Sequence, residues 1–173
     1  MNPELETKRL KIIPLTYEQL DLYVQTNYIL EEQFNLTKAK REIPPELIAA
    51  LNKDILPAVA DDKKNYLFFT LWIIIDKVLN QMVADICFKG EPNDKGEVEI
   101  GYGTYDAFKG KGYMTEAIEA IANWAFRQPN IKSIIAETQQ TNLASHRVLV
   151  KNNFKLFNKA DEMIWWKLEQ YPR

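Results

Sequence analysis

The chain has 173 residues, 46% hydrophobic and 27% charged, with 22 Lys and Arg against 24 Asp and Glu. This is ordinary globular composition, long enough to bury a core, and it excludes a disordered chain. The net charge of −2 leaves no electrostatic footprint for nucleic acid, and one cysteine, Cys87, excludes an intramolecular disulfide.

A lone histidine, His146, cannot build a multi-histidine zinc site, so no metal is expected. The N-terminus lacks the basic-then-apolar order of a signal peptide, and the run from Leu71 to Ile75 is too short to cross a bilayer. A cytoplasmic protein with no membrane partner is expected, forming one domain over residues 1–173.

Arg9 to Leu15 reads as a strand, after which Thr16 caps a helix through Leu20 and Val24. Pro44-Pro45 opens a second helix with Leu47, Ile48, Leu51 and Ile55 at helical spacing, and Pro57 is expected to stop it. Tyr66–Ile75 and Gln81–Lys89 read as an antiparallel hairpin. Cys87 sits in its apolar second arm as a small buried hydrophobe.

A strand follows from Glu97 to Tyr105, then a helix from Gly112 to Arg127 and a buried strand from Ile131 to Thr138. Asn142 begins a further helix, with two closing strands at Phe154–Asn158 and Met163–Leu168. The order β-α-α-β-β-β-α-β-α-β-β is that of a mixed α/β domain.

Lys109-Gly110-Lys111-Gly112 stands between a strand and a helix N-terminus. Glycines there turn successive N–H groups toward one point, and the helix end adds partial positive charge, which suits a phosphate or pyrophosphate. The spacing is not that of a P-loop. It also fails the dinucleotide fingerprint, because Thr115 stands where the third Gly belongs.

From Glu97 to Phe154 the chain resembles the GNAT N-acetyltransferase superfamily, particularly its ribosomal-protein-alanine N-acetyltransferase branch. That superfamily carries Gln/Arg-x-x-Gly-x-Gly/Ala after its fourth strand, matched here by Lys109, Gly110, Lys111, Gly112, Tyr113 and Met114, with Thr115 next on the helix. Asn142, Ser145, Val148, Lys151, Asn153 and Phe154 are similar to the branch's Asn-x-x-Ser-x-x-(aliphatic)-x-x-Lys-x-Gly-Phe element. Asn153 replaces Gly at a left-handed helix end. The opening Leu5-Glu6-Thr7-Lys8-Arg9-Leu10 resembles the branch's first strand.

The resemblance implies a GNAT acyl-CoA N-acyltransferase fold: a mostly antiparallel twisted sheet of about seven strands, splayed between strands 4 and 5 and flanked by about four helices. It implies acetyl-CoA as co-substrate, gripped by residues 109–115. Asn142 would meet the pantetheine arm, Ser145 would lie near the thioester, and the backbone from Gly103 through Thr104 to Tyr105 would pair with pantetheine amides. The implied acceptor is a primary amine, on a protein or peptide N-terminus or on a small molecule or antibiotic. The alternative is a non-catalytic CoA-binding or interaction module. The protein is expected as a monomer or homodimer.

Transfer needs a neutral amine, which an α-amino group of pKa about 8 supplies more readily than lysine at about 10.4. The resemblance puts a base glutamate on the 97–105 strand, where Glu99 is the first candidate, with Glu137 on the next strand the second. A tyrosine acid of the family would fall at Leu149, so Ser145 or water takes that role. Acceptor specificity is expected in residues 28–65, the acceptor-side segment, with Tyr28, Glu31 and Phe34 as candidate lining residues.

Overall fold

In the computed structural model, residues 2–41 and 43–170 are described. Two residues, Leu5–Glu6 (β1), add a short edge to Leu10–Pro14 (β2). Thr16 then caps Tyr17–Gln25 (α1) through a reciprocal box: its hydroxyl accepts from the Gln19 amide at 3.3 Å, and the Gln19 side chain accepts from the Thr16 amide at 3.0 Å. Ile29–Gln33 (α2) follows.

The Pro44-Pro45 helix does not stop at Pro57. Pro45–Ala50 (α3) passes into one π-helical turn at Leu51–Ile55 and continues as Leu56–Val59 (α4). Widening the helix to i→i+5 bonding restarts it at Leu56, so Pro57 falls in a first turn, where its missing N–H is not needed.

Leu71–Asp76 (β3) and Gln81–Phe88 (β4) form the expected hairpin. Its turn is fixed by the Asp76 carboxylate, which accepts from the Val78 and Leu79 amides at 2.8 Å each. Tyr66–Phe68 is a 3₁₀ turn capped by Asn65 instead of the start of the strand. Glu97–Thr104 (β5), Tyr113–Ala125 (α5), Ser133–Gln139 (β6), Leu143–Lys151 (α6), Lys155–Ala160 (β7) and Met163–Glu169 (β8) complete the chain.

Among the described residues one sheet of eight strands results, in the order β1-β2-β3-β4-β5-β6-β8-β7, antiparallel except for β5 against β6. It has one strand more than expected, the two-residue β1. Both faces are covered. On one side α5 and α6 pack with Trp72, Ile74, Phe88, Ile100, Ile118 and Trp124. On the other, α1 and the Pro45–Val59 helices pack with Leu15, Leu20, Tyr23, Leu51, Leu71 and Ile73. Burial on both faces explains why Leu71–Ile75 is apolar at every position instead of alternating.

The parallel pair is short. β5 and β6 are in register only from Glu97↔Ser133 to Ile100↔Ala136, whereas β5 stays paired with β4 as far as Thr104. Beyond Ile100 the two strands part. With β1 set aside, these are the fourth and fifth strands, where the splay was expected.

Candidate active site

A cleft of about 1980 Å³ opens where β5 leaves β6. Ordinary small-ligand sites hold roughly 300–1,000 Å³, so this one has room for a long ligand and a second molecule beside it. One half is lined by the glycine loop and α6, the other by α3, α4 and the α1 side of the sheet.

The loop is built to present amides. Gly110 and Gly112 adopt φ of +74° and +78°, left-handed values that favour glycine, and a Cβ at Gly110 would meet nothing within 4 Å. The amides of Gly110, Lys111 and Gly112 donate to no backbone acceptor among the described residues. Those of Tyr113, Met114 and Thr115 belong to the first turn of α5, which has no acceptors of its own for them. This cradle fits the pyrophosphate of a CoA thioester.

Arg9, at the entrance to β2, clamps the loop from behind. Its guanidinium donates to the Lys111 carbonyl at 2.9 Å and to Glu116 at 2.6 Å, and it lies 4.9 Å from the Tyr113 ring centroid. Tyr113 in turn donates to Asp76 at 2.7 Å.

The expected site residues fall into two groups. Gly103, Thr104, Tyr105, Lys109, Gly110, Gly112, Tyr113, Met114, Thr115, Asn142 and Ser145 all line the cleft. Asn142 also caps α6, its side chain accepting from the Ser145 amide at 3.1 Å. Asn153 takes φ of 63°, the left-handed helix end its place in the motif requires.

Lys111, Glu99 and Glu137 are not among the lining residues. The Lys111 ammonium sits 5.3 Å from the Phe108 ring, and Glu99 is tied to Lys89 at 2.5 Å on the face of β5 turned away from α5. Glu137 faces the same side of the sheet from β6, opposite Trp165. Leu149 is fully buried, and His146 is half-buried with Nε2 3.0 Å from the Gln139 carbonyl.

Residues 28–65 do border the cleft, but through other side chains than expected. Tyr28, Glu31 and Phe34 do not line it; Ile43, Leu47, Lys53 and Ile55 do. Glu31 is buried against Arg41, 3.1 Å away, and Phe34 packs into the second core.

Two groups in the cleft escaped the sequence reading. Tyr102 on β5 has a buried hydroxyl with no partner of hydrogen-bond geometry among the described residues; burial pushes its pKa up to about 12, and the Ser145 side chain offsets this in part. Asp85 on β4 accepts from the Tyr23 hydroxyl at 2.8 Å, and the Tyr105 hydroxyl stands 3.1 Å from that of Tyr23. Burial raises the Asp85 carboxyl to about 6, against the lowering pull of Tyr23, Arg41 and Tyr105. The signal for Asp85 was present: it is the one charge inside Met82–Phe88, otherwise an apolar run. Cys87, two residues on, is raised to about 11 by burial and by Asp85, and so stays a thiol at neutral pH.

Parted strands beside a glycine loop at a helix N-terminus are the arrangement expected of acyl-CoA-dependent N-acyltransferases. Residues 9–155 match the family model described as acetyltransferase (GNAT) domain, and the chain belongs to that family. A Bacillus subtilis relative, named uncharacterized N-acetyltransferase YjdG, is 35% identical over 98 residues, 57% of this chain; the match spans 58% of that relative's length.

Two solved structures share the fold. The ribosomal-protein-S5-alanine acetyltransferase from Vibrio fischeri superposes with a TM-score of 0.71 at 16% identity, covering 97% of each chain. The ribosomal L7/L12 alpha-N-protein acetyltransferase RimL in complex with coenzyme A gives 0.68 at 14% identity, covering 96% of this chain and 98% of its own. At these identities the likeness is one of fold.

Proposed function

We propose that the protein is an acetyl-CoA-dependent N-acetyltransferase, acting as one domain, that passes the acetyl group directly to a primary amine. One observation carries the reading: the parting of β5 from β6 and the unpartnered amides of the glycine loop open into the same cleft. In this reading the amides from Gly110 to Thr115 hold the pyrophosphate, with Lys109 at the rim. Asn142 meets the pantetheine arm. The backbone from Gly103 to Tyr105, left without a strand partner on its β6 side, pairs with the pantetheine and polarises the thioester carbonyl.

Ser145 and Tyr102 face the cleft from the α6 side of β5. They supply the proton that the departing sulfur takes up, the role that Leu149 cannot fill. A thiol of pKa about 8.5 leaves readily enough that this help is modest. Glu99 and Glu137, set away from the cleft, are poorly placed to receive the amine's proton. The names of the two structural neighbours support a protein or peptide N-terminus as acceptor.

The test is thermal stabilisation by acetyl-CoA, with CoA and NADH as companions, followed by thiol release in the presence of amines. A ligand at about a hundred times its Kd adds roughly 2.7 kcal/mol. Both CoA species are expected to stabilise and NADH is not. Gly112→Asp, which sets a carboxylate in the cradle, is expected to abolish the shift. Absence of any CoA shift in the parent protein overturns the reading.

A further inference from the structure

We propose that Asp85 receives the acceptor's ammonium and takes its proton, and that the acceptor is a primary amine carried on an apolar body. The inference rests on the acetyl-transfer reading above and concerns the other half of the cleft.

Position comes first. Asp85 is the β4 partner of Gly103, beside the point where the thioester carbonyl is placed. Directly opposed residues in a sheet share a face. That face is the one where Tyr105 and Cys87 join the α1 and α4 core, opposite the side of α5 and α6. Tyr102, the next residue along β5, points to the α5 side and joins that core. One proton acceptor, on β4, and one proton donor, on β5, thus stand on opposite faces of the sheet beside the opening.

Charge is the second argument. The groups facing Asp85 are Tyr23 from α1, Arg41 with Glu31 of α2 behind it, Cys87 on its own strand, and Tyr105 after β5. Arg41 stacks on the Tyr23 ring at 4.6 Å and donates to the Tyr23 carbonyl at 3.2 Å, while Glu31 lies 3.1 Å from it. Arg41 is paired with Glu31, so among the described residues of this buried cluster Asp85 brings a carboxylate that Arg41 offsets only in part. A buried carboxylate whose nearby cation is shared with another acid is costly, and an incoming ammonium reduces that cost. Tyr23 donates to Oδ2 at 2.8 Å and Tyr105 also favours the carboxylate, so two hydroxyls hold it in place beside Gly103.

The walls supply the rest. Ile43, Leu47, Ile55, Phe69 and Leu71 give this half of the cleft an apolar surface, interrupted by charged side chains such as Lys53 and Asp54, and it is this apolar surface that the body carrying the amine covers.

The protons balance. The ammonium gives one to Asp85, which passes it to solvent. The freed nitrogen forms its bond to the acetyl carbon, and the carbon–sulfur bond breaks with its electron pair on sulfur. The second nitrogen proton replaces the one that sulfur takes from the Tyr102 side.

The experiment follows thiol release from acetyl-CoA with two probes, phenylalanine amide and aspartyl-aspartate amide, on the parent protein, Asp85→Asn and Asp85→Glu. Phenylalanine amide is expected as the better acceptor. Asp85→Asn is expected to cut its kcat/KM about 10²–10⁴-fold, with acetyl-CoA stabilisation unchanged, and Asp85→Glu to recover part of the loss. The acid limb of the parent's pH–rate profile should vanish in Asp85→Asn, a change that a purely structural role would not produce. If Asp85→Asn does not fold, Tyr105→Phe serves instead: losing a hydroxyl that favours the carboxylate, it should move the acid limb to higher pH.

Activity of Asp85→Asn within about threefold of the parent overturns the role of Asp85 and leaves acetyl transfer standing. Equal or better use of aspartyl-aspartate amide, or CoA binding with neither amine acetylated, overturns the acceptor class. A parent protein that binds no acetyl-CoA sinks both proposals at once.

Discussion

At Asp85 the same burial that suits it to an amine works against the fold. Its carboxyl is raised from 3.8 to about 6, so the folded state binds the proton more tightly than the unfolded chain does. Such a group lends stability below the unfolded pKa and loses it as pH rises through the folded one. At neutral pH the charged carboxylate therefore costs about 3 kcal/mol. Asp85→Asn keeps an acceptor for Tyr23 and carries no charge. Its stability relative to the parent is expected to improve steadily from pH 4 to about pH 7 and then level off, read from urea midpoints at each pH. A difference constant across that range contradicts the assignment. The neighbouring Tyr102 and Cys87 move the other way in function, since raised pKa values keep both protonated at neutral pH.

Among the elements, the junction of β2 with the N-terminus of α5 governs the loop. Arg9 reaches 102 residues along the chain to hold the Lys111 carbonyl, while its backbone amide and side chain both bond Glu116. Thr7 donates to the same carboxylate at 2.5 Å, and together these bonds keep the Glu116 carboxyl below its ordinary value despite burial. Arg9→Ala removes the side-chain part of this clamp but none of the core. It is expected to weaken acetyl-CoA binding about tenfold, near 1.4 kcal/mol, with only a small change in Tm. Calorimetric titration with acetyl-CoA checks it, and an unchanged Kd assigns Arg9 to strand packing alone. The start of α5 at Gly112 and of α6 at Asn142 was legible from glycine and cap chemistry acting over three or four residues. The Arg9 clamp was not, because nothing local to Arg9 names its partner.

For the whole molecule, the sheet separates two cores, and the cleft borrows one half from each. Leu51, fully buried at the π-helical turn, belongs to the second core with Leu71 and Ile73. Leu51→Ala is expected to cost about 2–5 kcal/mol and to raise the KM for amines, while the stabilisation by acetyl-CoA persists. Denaturation with and without acetyl-CoA, beside amine kinetics, tests this. Loss of the CoA effect would mean that the halves are not separable.

The sequence by itself determined most of the strands and helices and the place of the glycine loop before α5. Capping residues, turn glycines, helical spacing and strand runs act between near neighbours, and the GNAT motifs lie in one continuous stretch from Lys109 to Phe154. Only the tertiary structure decided which carboxylates meet the cleft. Glu99 and Asp85 share one face of the sheet; strand pairing sets Glu99 beside Lys89 and Asp85 beneath Gly103, between two tyrosines from distant elements. The chain's passage through Pro57 was settled in the same way, by Leu51 and Ala58 finding cover in the second core and on the cleft wall. Burial and long-range pairing depend on contacts that no local run of residues encodes, and the acidity of a carboxylate follows from that burial.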